Sequence, residues 1–138
     1  MLISYNVRGL NSHDKQEALH KVIQQQSPHI ICLNETKLQG PLFMDGYWAH
    51  QTELQRSGGC WTAGCKGLSL TLTKSLRTYL CWTKAIVGNS CIYILNCYLE
   101  PGEDEQIKNR AARISEIAAD ILKQDSQARI VVCGDFNK

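Results

Sequence analysis

Five polar residues stand where apolar stretches of this sequence end. Asn6 closes the run from Leu2, and Glu35 follows His29–Leu33 and Asn34. Tyr98 closes the run from Cys91, and Asp135 and Asn137 follow Arg129–Cys133. These residue types suit the cleavage of a phosphate ester. A carboxylate such as Glu35 offers a hard oxygen ligand to Mg²⁺ or Mn²⁺, and Asn6 can add a carbonyl oxygen or fix a metal-bound water. A metal held there polarises a phosphoryl oxygen and neutralises developing charge. Asp135 can orient an attacking water, while Asn137 and Tyr98 can donate hydrogen bonds to phosphate oxygens in the transition state. Each residue also has a plainer reading. Asn6, Asp135 and Asn137 can be turn formers, Glu35 a solvated charge, and Tyr98 an amphipathic residue at the core edge.

The elements that must carry these groups are legible from periodicity. Leu2–Asn6 reads as a strand. A helix follows over about 14–26, with Asp14 as cap and Glu17 completing a capping box. Its stripe is Ala18, Leu19, Val22 and Ile23, and Ser27-Pro28 stops it. The continuous apolar run 29–33 marks a strand buried on both faces. Strand, helix and strand together predict a right-handed parallel βαβ unit. Residues 39–66 read as loop-rich, punctuated by Gly40-Pro41, Gly46, Gly58-Gly59 and Gly64. Strands are predicted over 68–72, 78–87 and 91–98, the last two forming a hairpin about Gly88-Asn89. A helix over about 104–123 places Ile107, Ala111, Ile114, Ala118 and Ile121 or Leu122 on one face. Arg129–Cys133 is the last strand. In open α/β sheets, sites lie beyond the carboxyl ends of strands, and all five residues fall there.

Composition bounds the rest. The 138 residues fit one domain, 1–138, and 43% hydrophobic content supplies a core. The net charge of +2 is too mild for a polybasic nucleic-acid arm. No apolar run reaches the roughly 18 residues of a membrane span, and the first residues turn polar too soon for a secretory signal. Seven cysteines, without a Cys-x-x-Cys pair, are expected as reduced thiols in an intracellular protein. Zinc on Cys60 and Cys65, near His50, is the alternative. The other histidines show no ligand spacing. Arg8, Lys37 and Lys66 can touch phosphates and Trp48, Trp61 and Trp82 can stack on bases, but surface cations and core aromatics are the plainer readings.

Taken in order, four segments resemble the endonuclease/exonuclease/phosphatase family, the DNase I-like fold. They are Ser4-Tyr5-Asn6-Val7-Arg8-Gly9-Leu10, Ile31-Cys32-Leu33-Asn34-Glu35-Thr36-Lys37-Leu38, Asn96-Cys97-Tyr98-Leu99-Glu100-Pro101 and Gly134-Asp135-Phe136-Asn137. Their wording is most similar to the endonuclease domains of non-LTR (LINE-type) retrotransposons. The resemblance implies an α/β fold, half of a four-layer sandwich with mixed sheets and flanking helices. It implies Asn6 and Glu35 at the Mg²⁺ (or Mn²⁺) site, Tyr98 as the active-site tyrosine, and Asp135 and Asn137 positioning water and phosphate. DNA is the implied substrate, and a nucleus the implied location for a retrotransposon nuclease.

The sequence also departs from that pattern. Arg8 stands where abasic-site nucleases of the family carry an acid, and Asn34 replaces a glutamine. Relatives continue into a second half ending in Ser-Asp-His, and no histidine here has that context. The expectation is therefore an incomplete nuclease, weak or inactive alone, with a sheet left open for another chain or assembly. The alternative is a non-catalytic structural or interaction subunit derived from such a nuclease.

Overall fold

The computed structural model describes residues 1–54 and 56–136, with backbone alone for 72–74. The chain runs β1 (Leu2–Asn6), α1 (His13–Gln26), β2 (Ile30–Asn34), β3 (Tyr47–Gln51), β4 (Cys60–Cys65), β5 (Ser69–Leu76), β6 (Leu80–Val87), β7 (Ser90–Tyr98), α2 (Asp104–Gln124) and β8 (Arg129–Asp135). The strands form two four-stranded sheets, ordered β1-β2-β4-β3 and β5-β6-β7-β8. Both sheets are mixed. β1 runs parallel to β2 and β7 parallel to β8, and the remaining neighbours are antiparallel.

Side-chain alternation along each strand builds four layers. Ile31, Leu33, Trp61 and Ala63 face outward and pack with Ile23 and Leu19 of α1. Leu80, Leu95 and Cys97 face the opposite way and pack with Ile114, Ile117 and Ile121 of α2. Between the sheets lie Ile30, Cys32, Ala85 and Ile94, with Leu2, Leu70, Ile92 and Cys133 beside them. The order is α1, first sheet, second sheet, α2.

This corrects the expectation of an uncovered sheet. The inner faces cover one another, and a helix lies on each outer face. What the described strands leave unpaired are sheet edges, among them β1 and β8, which run side by side. Edge strands present free backbone donors and acceptors.

Three further readings are corrected. Residues 39–66 contain β3 and β4. Cys60–Ala63 of β4 are buried, and β4 lies between β2 and β3. Its small residues and glycines mimic a loop, and a Cβ at Gly64 would lie 3.3 Å from the Leu70 side chain, a tight contact that Leu70 would have to relieve by a few tenths of an ångström. The helix α1 is capped by Ser12, whose hydroxyl accepts from the Lys15 N–H at 3.4 Å, rather than by Asp14. Ser27, in the left-handed region with φ +45°, ends it. Cys60 and Cys65 stand at opposite ends of β4, which removes them as a zinc pair, and all seven cysteines are free thiols.

Candidate functional site

The two parallel strand pairs, β1–β2 and β7–β8, end on the same side of the sandwich. Asn6 pairs with Asn34 in one sheet, and Tyr98 with Asp135 in the other. The sheets meet there through a side-chain hydrogen bond: Asn6 Nδ2 donates to Asp135 Oδ2 at 2.6 Å. Asn6 Oδ1 accepts from the Arg8 N–H at 3.1 Å, so both ends of the carboxamide are fixed.

The loops beyond the strands are tied to one another by main chain. Val7 N–H donates to Asn34 O, Gly9 N–H to Glu35 O and Leu10 N–H to Thr36 O. Lys37 N–H donates to Gly58 O, Gly59 N–H to Thr78 O, and Tyr98 N–H to Tyr79 O. A continuous rim therefore runs from the end of β1 to the start of β6. It carries unusual backbone. Arg8, Glu35 and Lys37 all adopt positive φ, at +50°, +54° and +51°. Such conformations cost free energy and gather at functional sites. At Gly134, φ is +133° and a Cβ would collide with the Cys97 carbonyl, so only glycine lets β8 close on β7 before Asp135.

Tyr98 is buried, with its phenol facing the carboxylates. Burial first, then the charges of Glu35, Glu100 and Asp135, push its pKa up to about 12, and Glu35 is placed to accept a hydrogen bond from it. The phenol is thus a neutral donor at physiological pH. Glu35 also pairs with Lys37, Oε1 to Nζ 3.2 Å, with the carboxylate side chain 19% exposed. Lys15 Nζ donates to the Arg8 carbonyl at 3.1 Å and holds the first loop from α1.

Of the five residues singled out by sequence, Asn6, Glu35, Tyr98 and Asp135 thus share this rim, and Asn137 lies outside the described residues. Of the secondary candidates, Arg8 and Lys37 are at the rim. Lys66 lies over Trp48, 5.2 Å from the ring centre, away from it. Trp61 is core. Asn34, read from the sequence only as a departure from the family pattern, and Asn96, quoted only within a matching segment, are fully buried and hydrogen bonded to each other across the sheets. Their signal was a carboxamide on the inward parity of two apolar strands.

A divalent cation of the Mg²⁺ type takes oxygen ligands, keeps several waters and needs only one or two carboxylates. Glu35, Asp135 and the Asn6 carbonyl oxygen are oxygen donors of that kind on one rim. Among the described residues, no group of three or more His, Cys, Asp or Glu forms a ready metal cage. The donor set fits a hydrated cation completed by substrate, not an enclosed all-protein site.

The sequence matches the Endonuclease/Exonuclease/phosphatase family over residues 3–138. No curated protein matches it. Among solved structures, truncated Caenorhabditis elegans TDP2 is similar, with a TM-score of 0.73 and 19% identity, over 99% of this chain and 61% of that one. So is D. rerio TDP2 complexed with a single-strand DNA product, at TM-score 0.72 and 16% identity, over 99% and 60%. An AP endonuclease from Archaeoglobus fulgidus gives a TM-score of 0.65 at 18% identity, over 99% and 56%. The chain spans about three fifths of the length of these proteins, and at such identities the likeness is one of fold.

Proposed function

The chain belongs to the endonuclease/exonuclease/phosphatase family, and from that premise we propose that its polar rim is the site of a Mg²⁺- or Mn²⁺-dependent phosphodiesterase acting on DNA, of the retrotransposon-endonuclease kind. The observation that carries this reading is the Asn6–Asp135 hydrogen bond. It brings the carboxylate that ends β8 to the strand end beside Glu35, so groups from both sheets converge on one volume. DNA is favoured as substrate by the neighbours whose structures concern a DNA product and an AP endonuclease.

In this reading Glu35 would hold the cation, together with the Asn6 carbonyl oxygen. When bound, the cation supplies Lewis-acid polarisation of the phosphoryl oxygen and neutralises its developing charge. Asp135 accepts a hydrogen bond from the attacking water, orients its oxygen toward phosphorus, and takes the proton the water loses as it attacks, later releasing it to solvent. The bond from that oxygen to phosphorus forms as the bond from phosphorus to the departing sugar oxygen breaks. The departing oxygen takes a proton from solvent or from a donor outside the described residues. Tyr98, neutral and aimed at the rim, donates to a non-bridging phosphate oxygen, and Asn137 does the same from its motif position.

A second reading has its own support. Glu35 is already paired with Lys37 and Asn6 Oδ1 with the Arg8 N–H, an arrangement that suits a non-catalytic subunit kept for structure or interaction. The β1 and β8 edges are where further polypeptide would pair in either case. Nicking of supercoiled plasmid separates the two. The catalytic reading predicts nicking with Mg²⁺ that EDTA abolishes and Asp135→Asn lowers by about 10²-fold or more. It also predicts that 1–138 alone is slower than longer relatives. Nicking equal in EDTA, or unchanged by Asp135→Asn, would reject it.

A further inference from the structure

Two carboxamides lie deep between the sheets, one step behind the rim. Asn34 is 1% exposed and Asn96 is 0% exposed. Burying an amide costs free energy unless its hydrogen bonds are remade, and a contact serving cohesion alone would be aliphatic, as Ile30 and Ile94 are on the same two strands. Here they are remade across three strands. Asn34 Nδ2 donates to Asn96 Oδ1 at 2.5 Å and to the Cys97 carbonyl at 3.0 Å. Asn96 Nδ2 donates to the Leu33 carbonyl at 3.2 Å, the Trp61 carbonyl at 3.0 Å and Thr62 Oγ1 at 3.1 Å.

Position gives this network its meaning. Asn34 is the residue before Glu35, where the backbone swings to positive φ. Asn96 is two residues before Tyr98 and on the same face of β7. Aliphatic packing between sheets tolerates sliding, whereas hydrogen bonds to main-chain carbonyls fix direction as well as distance. We propose that the Asn34–Asn96 pair is a positioning element of the site, setting the separation of Glu35 and Tyr98 by locking β2 and β4 to β7 immediately beneath them. Neither amide touches a reacting group. Both act through the residues they hold, as supporting residues do in sites that must keep geometry within about 0.5 Å.

This role rests on the phosphodiesterase reading, but its geometry can be tested without catalysis. The probe is the ¹³Cζ resonance of Tyr98 at pH 7, assigned by Tyr98→Phe, which reports the hydrogen bonding of the phenol. Glu35→Gln gives the reference position for a weakened contact. The double variant N34L/N96L replaces both amides by apolar groups of similar volume, a change that can be nearly neutral for stability. The expected result is a folded protein whose Tyr98 resonance moves most of the way to the Glu35→Gln position. Where the double variant fails to fold, Asn96→Thr keeps a strand-favouring residue too short to reach the first sheet, and the same movement is expected.

In plasmid nicking, either variant should lower kcat by about 10–100-fold with KM for DNA within about twofold, the signature of misplaced groups rather than lost binding. A Tyr98 resonance that stays at its wild-type position in both amide variants overturns the proposal. So does one that ignores Glu35→Gln. If wild-type protein fails to nick while the resonance moves as expected, the phosphodiesterase reading fails and the positioning role of the pair stands.

Discussion

The two ends of the sandwich are built from the same strands and differ in almost every inward-facing residue. At one end the space between the sheets is an apolar groove of about 370 Å³, lined by Leu2, Ile30, Leu68, Val87, Ile92 and Val131. At the other end stand Asn6, Asn34, Tyr98 and Asp135. The change is graded along each strand. Leu2 gives way to Ser4 and Asn6, Ile30 to Cys32 and Asn34, Val131 to Cys133 and Asp135. The middle layer is thiol and hydroxyl. Cys32 and Cys133 pack against each other across the sheets. With burial, that contact holds Cys32 well above its ordinary pKa, and the same contact together with Ser4 holds Cys133 below it. The gradient teaches a division of labour. Aliphatic contacts hold the sheets together, and hydrogen bonds aim the groups at the far end.

The comparison breaks most severely at Gly134. Any side chain there meets the Cys97 carbonyl, so Gly134→Ala should cost about 4 kcal/mol or prevent folding, as read by urea unfolding. In the cohesive layer, Ile94→Ala leaves a cavity at a fully buried position. It should cost about 2–4 kcal/mol in the same assay while Mn²⁺ binding at the rim survives. Asp135→Asn should keep stability within about 1 kcal/mol of wild type while lowering plasmid nicking by about 10²-fold or more. Equal stability losses at Ile94 and Asp135 would erase the distinction between the two ends.

Alkaline titration sharpens the contrast further. Tyr98 has its pKa raised above the ordinary 10, so the folded state holds the proton more tightly than the unfolded chain. Its contribution is complete below about pH 10 and is lost as pH rises toward about 12. The buried thiols Cys81 and Cys97, also raised to about 12, act in the same direction from about pH 9. Tyr98→Phe should therefore lose less stability than wild type between pH 10 and 12, measured by denaturant midpoints. The smallest effect belongs to Ser12→Ala. Its cap bond is long and exposed, and about 0.5 kcal/mol is expected.

Much of this architecture was legible. The apolar runs of β2, β6, β7 and β8 and the stripe of α2 have unambiguous period. The strand-end position of Asn6, Glu35, Tyr98 and Asp135 followed from it. What escaped was non-local. β4 reads Cys-Trp-Thr-Ala-Gly-Cys between glycines, a turn-like composition. It is a strand because β2 and β3 pair on either side of it and both faces are covered. The Asn34–Asn96 contact joins residues 62 apart, and no local rule brings them together. Expecting an open sheet face was an error of the same origin, since which strands cover which is decided by pairing.

The central claim is that the polar end is a cation-dependent phosphodiesterase site assembled from both sheets. Its most direct test is paramagnetic broadening of amide and tyrosine NMR resonances by Mn²⁺ at low stoichiometry. The account predicts broadening centred on Asn6, Glu35, Tyr98 and Asp135, sparing Leu2, Ile92 and Val131 at the apolar end, and abolished by Glu35→Gln. Broadening that is spread over the surface carboxylates, or that persists unchanged in Glu35→Gln, would contradict it.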